Sequence, residues 1–208
     1  MQNQSNADQV HIILLAAGAS ERFGSIKQVA PVNGMPMLRR SATQGLQAGV
    51  PVWVITGAHR DAVENCIRDL PLHRLHHPEW AKGMGRSIAA AFTALIAAKN
   101  SPPAAIIALA DQIGITGTDY QKLIAAHHTQ PQMIIAADYG ERRGPPCLFP
   151  SAYFKQLAAL NGDQGARKLL QQHSSAVIPI HMPQAAADVD TPADLNRFSD
   201  RWKTPAAP

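Results

Sequence analysis

The residues best suited to phosphate chemistry lie in one glycine-containing loop near the start of the chain. Gly18 and Gly24 have five residues between them, including Ser20 and Arg22, and Lys27 follows Gly24 by three positions. Small residues let backbone N–H groups approach phosphate oxygens, and the two cations can neutralise phosphate charge. The spacing matches neither the Walker A motif GxxxxGK[ST] nor the dinucleotide motif GxGxxG. The loop therefore indicates an anion-binding turn, with a purely structural glycine turn as an equal alternative.

Carboxylates form the second set of candidates. Asp111 directly follows the apolar run Ala104–Ala110, and a carboxylate at a strand end beside a phosphate loop can hold Mg²⁺, which prefers oxygen ligands. Asp188 and Asp190 alternate along an extended stretch, so both side chains are expected on one face. The alternatives are structural: Asp111 caps the helix after it, and one of the later aspartates or Thr191 caps the last helix.

The pattern of apolar residues predicts the elements that must position these side chains. Short apolar runs alternate with longer segments whose apolar residues lie three and four apart, which is typical of a parallel sheet covered on both faces. We predict an α/β fold, a three-layer sandwich with a Rossmann-like, mostly parallel sheet and its site at the C-terminal strand ends. We also predict one late antiparallel strand at Cys147–Phe149. The other predicted strands are Val10–Ala16, Pro51–Thr56, His73–His77, Ala104–Ala110, Met133–Ala137 and Val177–Ile180, and the predicted helices are Met37–Ala48, His59–Asp69, Met84–Lys99 and Asp119–His128.

The glycine loop is the first of six motifs that occur in order along roughly residues 10 to 195. The segment Leu14–Lys27 fits the pattern LAAGxSxRxGxxK. The other motifs are PEWAKGMGRS (Pro78–Ser87), LADQ (Leu109–Gln112), GPPCLF (Gly144–Phe149), GDQGAR (Gly162–Arg167) and DVDTPAD (Asp188–Asp194). In this order the six motifs resemble those of the nucleotidyltransferase superfamily typified by molybdenum cofactor cytidylyltransferase and related guanylyltransferases. The chain departs from that family at Ile113, where proline is common, and at Phe23, where methionine is usual, and neither change removes a charge.

The resemblance implies an enzyme that moves a nucleoside monophosphate from an NTP to an acceptor and releases pyrophosphate. It implies Mg²⁺ and an NTP, with CTP favoured, and a phosphorylated acceptor such as molybdopterin or the molybdenum cofactor. By the same resemblance Arg22, Lys27 and Asp111 are catalytic, and Asp111 holds the metal with Asp190, which we favour, or with Asp188. The nucleotide-binding residues that it implies are Ala16, Ala17, Gly18, Arg22, Lys27, Gly57, Ser87 and Asp111.

Two other functions are compatible with such a sheet. An NAD(P)-dependent oxidoreductase is one, although GxGxxG is absent and Thr56-Gly57-Ala58 provides no acidic residue after the second strand. The other is a non-enzymatic carrier or assembly factor that delivers a nucleotide-bearing molybdenum cofactor to a molybdoenzyme partner. The presence of Arg22, Lys27 and Asp111 together favours turnover over binding alone.

Further polar residues have two interpretations each. Arg142 and Arg143 precede Gly144 in a predicted loop near the site, and either bind an anionic acceptor or lie in a solvated turn. Arg167 is at a predicted helix start and is a candidate for the acceptor end of the site. Ser87 either contacts the nucleotide or is an ordinary N-cap of its helix.

Composition restricts the remaining classes of protein. A chain of 208 residues with 46% hydrophobic and 16% charged residues predicts one domain, at 10–202, between a disordered segment at 1–9 and a frayed tail at 203–208. The net charge of +4 includes no dense basic block, which argues against a nucleic-acid partner. The polar first residues do not resemble a signal peptide, and the longest apolar run, Ile12–Ala17, is too short to span a membrane. With two distant cysteines and no CxxC motif, a cytoplasmic protein without a membrane partner is expected.

Overall fold

The computed structural model describes residues 9–201 except residues 141 and 164. The predictions of a disordered segment at 1–9 and a frayed tail at 203–208 therefore lie outside the described residues, apart from Gln9. In chain order the described elements are β1 (His11–Ala16), β2 (Pro31–Val32), β3 (Met35–Pro36), α1 (Met37–Gln47), β4 (Val52–Thr56), α2 (Arg60–Asn65), β5 (His73–His76), α3 (Met84–Ala97), β6 (Ala104–Leu109), α4 (Gly117–Thr129), β7 (Ile134–Asp138), β8 (Arg143–Pro150), α5 (Phe154–Ala158), α6 (Arg167–Gln172), β9 (Val177–His181) and α7 (Pro192–Arg201).

The middle layer is a sheet in which, within these residues, seven strands take the order β5-β4-β1-β6-β8-β7-β9. Strand β1 pairs in parallel with β4 and β6, whereas β8 runs antiparallel to both of its neighbours, β6 and β7. The predicted mostly parallel sheet with one late antiparallel strand is confirmed. The strand predicted at Cys147–Phe149 is the second half of β8.

Side chains that alternate along β1 are buried in two different apolar clusters. Ile12 and Leu14 pack in the cluster that contains residues of α1, α2 and α4, and Ile13 and Leu15 pack in the cluster that contains residues of α3, α5 and α6. Successive residues of a strand point to opposite faces, so a strand covered on both faces must be apolar throughout. The predicted three-layer sandwich is confirmed.

The functional edge of the sheet follows from its strand order. From β1 the chain continues to β4 and β5 on one side and then crosses to β6 on the other side. The pairs Ala16 with Thr56 and Leu15 with Leu109 bring the C-terminal ends of three neighbouring strands to one edge. In open α/β sheets the ligand crevice lies outside these ends, where the strand order reverses. The loops after β1 and β6 border that crevice.

The structure differs from the prediction in its short elements. The helix predicted at His59–Asp69 is confined to Arg60–Asn65, and turns replace its last residues. The β2–β3 hairpin was not predicted, because two-residue strands are too short to show alternation. Its Asn33-Gly34 turn is a known hairpin signal, and both residues have the positive φ that such a turn requires. Along the described part of the chain, no helix is both long enough and apolar enough to cross a lipid bilayer.

Candidate functional site

Lys27 lies between two carboxylates at the C-terminal edge of the sheet. Its Nζ donates hydrogen bonds to Asp111 Oδ2 at 2.7 Å and to Asp190 Oδ1 at 3.2 Å. Arg22 Nη1 lies 3.0 Å from the other oxygen of Asp190. Burial alone would lower the pKa of Lys27, but the charges and hydrogen bonds of Asp111 and Asp190 outweigh it and raise that pKa. The ammonium group is therefore charged at neutral pH.

Three segments that are distant in sequence bring these groups together. Asp111 comes two residues after β6, and Lys27 begins a short 3₁₀ turn at the end of the glycine loop. The backbone N–H of Val189 donates to the carbonyl of Asp111 at 3.1 Å, which fixes the DVDTPAD segment beside β6. The basic loop and the acidic residues thus meet through the strand order and not through local sequence.

Gln28, which the sequence interpretation did not single out, holds the glycine loop in shape. Its buried Nε2 donates to the carbonyls of Ala16 at 3.2 Å and Gly18 at 2.8 Å, and its Oε1 accepts from the Ser20 hydroxyl at 3.0 Å. Ser20 has a φ of 63°, a left-handed conformation that is costly for a residue with a side chain. This bond network offsets that cost. A single glutamine in a loop forms no periodic sequence pattern, and only its position directly after Lys27 indicates a role in the site.

The structural alternative for Asp111 is wrong. Helix α4 begins at Gly117 and is capped by Thr116, which forms a capping box with Asp119. Asp111 therefore takes no part in capping and is left to the cavity.

The last helix is capped by Thr191, one of the three candidates that the sequence left open. The Thr191 N–H donates to Asp194 Oδ2 at 2.9 Å, and the Asp194 N–H donates to the Thr191 hydroxyl at 3.2 Å. This reciprocal pair is a capping box. The side chains of Asp188 and Asp190 are consequently available to the site.

The burial and the donor chemistry of the carboxylates fit a divalent cation. Asp111 Oδ1 and Asp188 Oδ1 are buried and have no hydrogen-bond partner among the described residues. Burial, with the charges of Asp111 and Asp190, raises the pKa of Asp188 to about 6. Buried carboxylate oxygens without donors are costly unless a cation or a donor compensates them. The donor set fits a hard cation such as Mg²⁺.

The number of ligands is also compatible with Mg²⁺. Among the described residues, no group of three His, Cys, Asp or Glu side chains converges as a complete metal site. Mg²⁺ does not need one, because it is commonly bound by one or two carboxylates together with water and substrate phosphates. Asp111 and one of the later aspartates would be sufficient.

An open cavity of about 690 Å³ surrounds these groups. A volume of this size is typical of small-molecule and cofactor sites. The predicted site residues that line it are Ala16, Ala17, Gly18, Arg22, Lys27, Ser87, Asp111, Asp188 and Asp190.

Gly57 is placed behind the cavity wall and does not line it. A Cβ at this position would lie 2.6 Å from the Ala17 carbonyl oxygen and 2.6 Å from Trp80 Cβ. The glycine therefore lets the first loop and Trp80 pack closely together. Ser87 does line the cavity, but α3 begins at Met84 after Gly83, so the interpretation of Ser87 as an N-cap is wrong.

The three candidate acceptor arginines lie outside the cavity lining. All three are exposed. The Arg142 guanidinium lies 5.7 Å from the centre of the Tyr139 ring, and its charge lowers the pKa of Asp188 against the larger opposing effects. Arg143 begins β8 and Arg167 begins α6. Arg142 therefore acts electrostatically on Asp188.

The cavity residues that sequence reasoning did not single out include Trp80, Met84 and Asp163. They lie in two motifs that pack against each other. The Gly85 N–H donates to the Gly162 carbonyl at 2.7 Å, and a Cβ on Gly85 would lie 2.7 Å from that oxygen. The glycines of PEWAKGMGRS were therefore the sequence feature that could have identified these residues, because they permit this close approach.

Known proteins resemble this chain along most of its length. The family model described as "MobA-like NTP transferase domain" matches residues 12–177. Nicotine blue oxidoreductase from Paenarthrobacter nicotinovorans is 30% identical over 198 residues, which is 89% of this chain and 94% of that protein.

Solved structures share the fold. Rv0371c from Mycobacterium tuberculosis H37Rv superposes with a TM-score of 0.79 at 24% identity, covering 93% of this chain and 98% of that one, and it has also been solved in complex with manganese. CMP:2-keto-3-deoxy-manno-octonic acid synthetase complexed with CTP superposes with a TM-score of 0.71 at 15% identity, with 93% and 98% coverage.

Proposed function

The chain belongs to the MobA-like NTP transferase family, and from that premise we propose that it moves CMP from CTP onto a phosphorylated acceptor of the molybdopterin or molybdenum cofactor type, with Mg²⁺. That the chain is a nucleotidyltransferase follows from the family. The choice of CTP, of the acceptor and of Mg²⁺ is the proposal. The observation that carries it is the position of Lys27 and Arg22 against Asp111 and Asp190 at the edge of the glycine loop.

The reaction exchanges one phosphorus–oxygen bond for another. An oxygen of the acceptor's phosphate attacks the α-phosphorus of CTP, and the bond from that phosphorus to the bridging oxygen breaks. The electron pair of the broken bond leaves on pyrophosphate. A phosphate monoester has its second pKa near 6, so the attacking oxygen is already anionic and needs no general base. Catalysis then depends on alignment and on neutralisation of charge.

The chain's own residues supply both requirements. Lys27 and Arg22 would bind the phosphates and stabilise the charge that develops on pyrophosphate. The backbone around Gly18, held by Gln28, would offer N–H donors to phosphate oxygens. A bound Mg²⁺ supplies Lewis-acid neutralisation of phosphate charge, and Asp111 with Asp190 or Asp188 would hold it. We assign the whole reaction to a single domain, residues 10–202.

The test is pyrophosphate release by the purified protein with each of the four common NTPs and Mg²⁺. Each NTP is tested alone and with molybdopterin or the molybdenum cofactor. The proposal expects release with CTP that depends on the acceptor and is lost on addition of a chelator. Acceptor-dependent pyrophosphate release with GTP but not with CTP would contradict the CTP assignment. No pyrophosphate release with any NTP would contradict the nucleotidyltransferase activity. The cytoplasmic location and a molybdoenzyme that receives the product stay predictions.

A second candidate function is favoured by one comparison, since the relative from Paenarthrobacter nicotinovorans is named an oxidoreductase. Against it, the loop after β1 lacks GxGxxG, and Thr56-Gly57-Ala58 at the end of β4 provides no acidic residue to bind a ribose. Saturable binding of NADH or NADPH without NTP turnover would support the oxidoreductase. For the other alternative, a non-enzymatic carrier or assembly factor, the supporting result would be tight binding of the nucleotide-bearing molybdenum cofactor without pyrophosphate release.

A further inference from the structure

Two large apolar side chains of the cavity lining, Trp80 and Met84, take no part in the proposed phosphate chemistry, and they define what we call its apolar end. Met84 is 45% exposed, and Asp163 lies beside Gly83 in the same part of the lining. Trp80 packs over Gly57, which directly follows β4, whereas Asp111 follows β6. Because β1 lies between β4 and β6 in the sheet, Trp80 and the carboxylates are on opposite sides of the glycine loop.

Trp80 is held in a fixed position by its surroundings. The absence of a side chain at Gly57 allows Trp80 Cβ and Cγ to lie directly against the backbone there. Its 3₁₀ turn, Trp80–Lys82, is closed by a hydrogen bond of 3.1 Å from the Gly83 N–H to the Trp80 carbonyl. Glu79 pairs with both Lys82 and Arg86 and braces the same turn. A tryptophan placed in this way has little side-chain entropy left to lose when a ligand binds.

A comparison with Trp53 shows what is unusual about Trp80. The Trp53 ring stacks on His73 with a centroid distance of 4.6 Å, and its Nε1 donates to His11 Nδ1 at 3.2 Å. Trp80 is half-buried in the cavity wall, and the ring contacts among the described residues do not include it. A fixed aromatic ring beside an open cavity is a stacking platform for a planar ligand.

We infer that Trp80 is the residue that makes the site specific for a nucleotide over other polyphosphates, by stacking on the nucleobase. This inference rests on the proposed function. With the triphosphate at Lys27 and Arg22, the base extends past the glycine loop to the β4 side, where Trp80 lies. Stacking accepts any base, so Trp80 selects for the presence of a base and leaves the choice between bases to other contacts.

The experiment compares two probes on a small set of variants. Calorimetric titrations with Mg²⁺ measure the Kd of CTP and of inorganic tripolyphosphate, which has the phosphates but no base. For Trp80→Ala we expect a loss of roughly 5- to 150-fold in CTP affinity, the size typical of one base stacked on an aromatic ring. Tripolyphosphate affinity should change less than about twofold, because its contacts lie at the other end of the cavity.

Two further substitutions separate ring stacking from general packing. Trp80→Phe keeps an aromatic ring and should recover most of the CTP affinity, whereas Trp80→Leu keeps an apolar contact and should not. These two variants also serve if Trp80→Ala does not fold. Trp53→Phe, remote from the cavity, is the matched control and should leave both Kd values unchanged.

The outcomes separate this inference from the proposed function. Equal losses for CTP and tripolyphosphate in Trp80→Phe and Trp80→Leu would show a structural role and overturn the inference. Unchanged CTP affinity in Trp80→Leu would also overturn the inference. Turnover of CTP by the wild-type protein would then show that the proposed function still holds. A wild-type protein that binds no NTP would instead contradict the proposed function, and the inference with it.

Discussion

The charged end and the apolar end of the cavity are constructed on different principles. At the charged end, Lys27, Asp111 and Asp190 come from three distant segments and are held by ion pairs of 2.7 and 3.2 Å. At the apolar end, Trp80 is held by close packing, because it lies so near the backbone of Gly57 that a Cβ there would not fit. Loss of one charge should therefore reduce activity without disturbing the fold. Added volume at Gly57 should reduce both the stability of the fold and ligand binding.

The largest effect is expected at Asp111. Asp111→Asn keeps the size of the side chain but removes the charge that would hold Mg²⁺, so metal-dependent pyrophosphate release should fall to background. Circular dichroism and the melting temperature should show a folded protein. Asp61→Asn, on the exposed face of α2, is the control with a similar charge change. Activity retained by Asp111→Asn, or activity without Mg²⁺, would contradict the metal assignment.

Lys27→Ala should have the next largest effect. A cation that stabilises charge developing on pyrophosphate is worth about 10²-fold or more in turnover. Steady-state kinetics should show the loss mainly in kcat. Lys99→Ala, at an exposed position two residues after α3, should behave as wild type. Unchanged turnover in Lys27→Ala would exclude the proposed role.

Gly57→Ala tests the apolar end. The added Cβ would lie 2.6 Å from both Ala17 O and Trp80 Cβ, so one of the two segments must move. Overpacking of this kind costs about 1–3 kcal/mol of stability, and CTP binding should weaken because Trp80 is displaced. Chemical denaturation measures the first effect and calorimetry the second. Gly18→Ala, whose Cβ would meet nothing within 4 Å, should unfold like wild type.

The smallest effect concerns Asp188 and the stability of the fold. Its pKa is raised to about 6 from an ordinary value of 3.8. The native state therefore holds a proton that the unfolded chain has already released, and stability is lost as pH rises from about 4 to 6. Asp188→Asn should remove this penalty, with a gain of about 1–2 kcal/mol at pH 8 after allowance for solvent screening and no gain near pH 4.

Thermal unfolding of wild type and Asp188→Asn without metal, across that pH range, measures the difference. Asp138→Asn, a carboxylate outside the cavity lining, controls for the change in net charge. A gain that is the same at both pH values would contradict the proposed cause.

The fold was largely predictable because its main signals are local. Strands such as β1 are buried on both faces, so each is a continuous apolar run, and the turn residues between runs give the order of elements. Six of the seven predicted strands have ends within one residue of the observed bounds, whereas β8 begins at Arg143, four residues before the predicted start. The helix predicted after β4 was too long, because apolar spacing continued through residues that form turns.

The candidate site was only partly predictable. The glycine loop, Asp111 and the late aspartates carry motifs, and the structure brings them into one cavity. The contact of Lys27 with Asp190 depends on packing between segments far apart in sequence, which no local pattern encodes. Gln28 and Trp80 were missed for the same reason, since their importance lies in which backbone atoms they contact.

Transfer of CMP through the α-phosphorus of CTP is followed most directly with a label. The protein is given Mg²⁺, a phosphorylated pterin acceptor and CTP labelled at either the α- or the γ-phosphorus. We expect the α-label in the acceptor product and the γ-label in pyrophosphate, in equal amounts. Transfer of the γ-label to the acceptor, or no transfer of either label, would contradict this expectation.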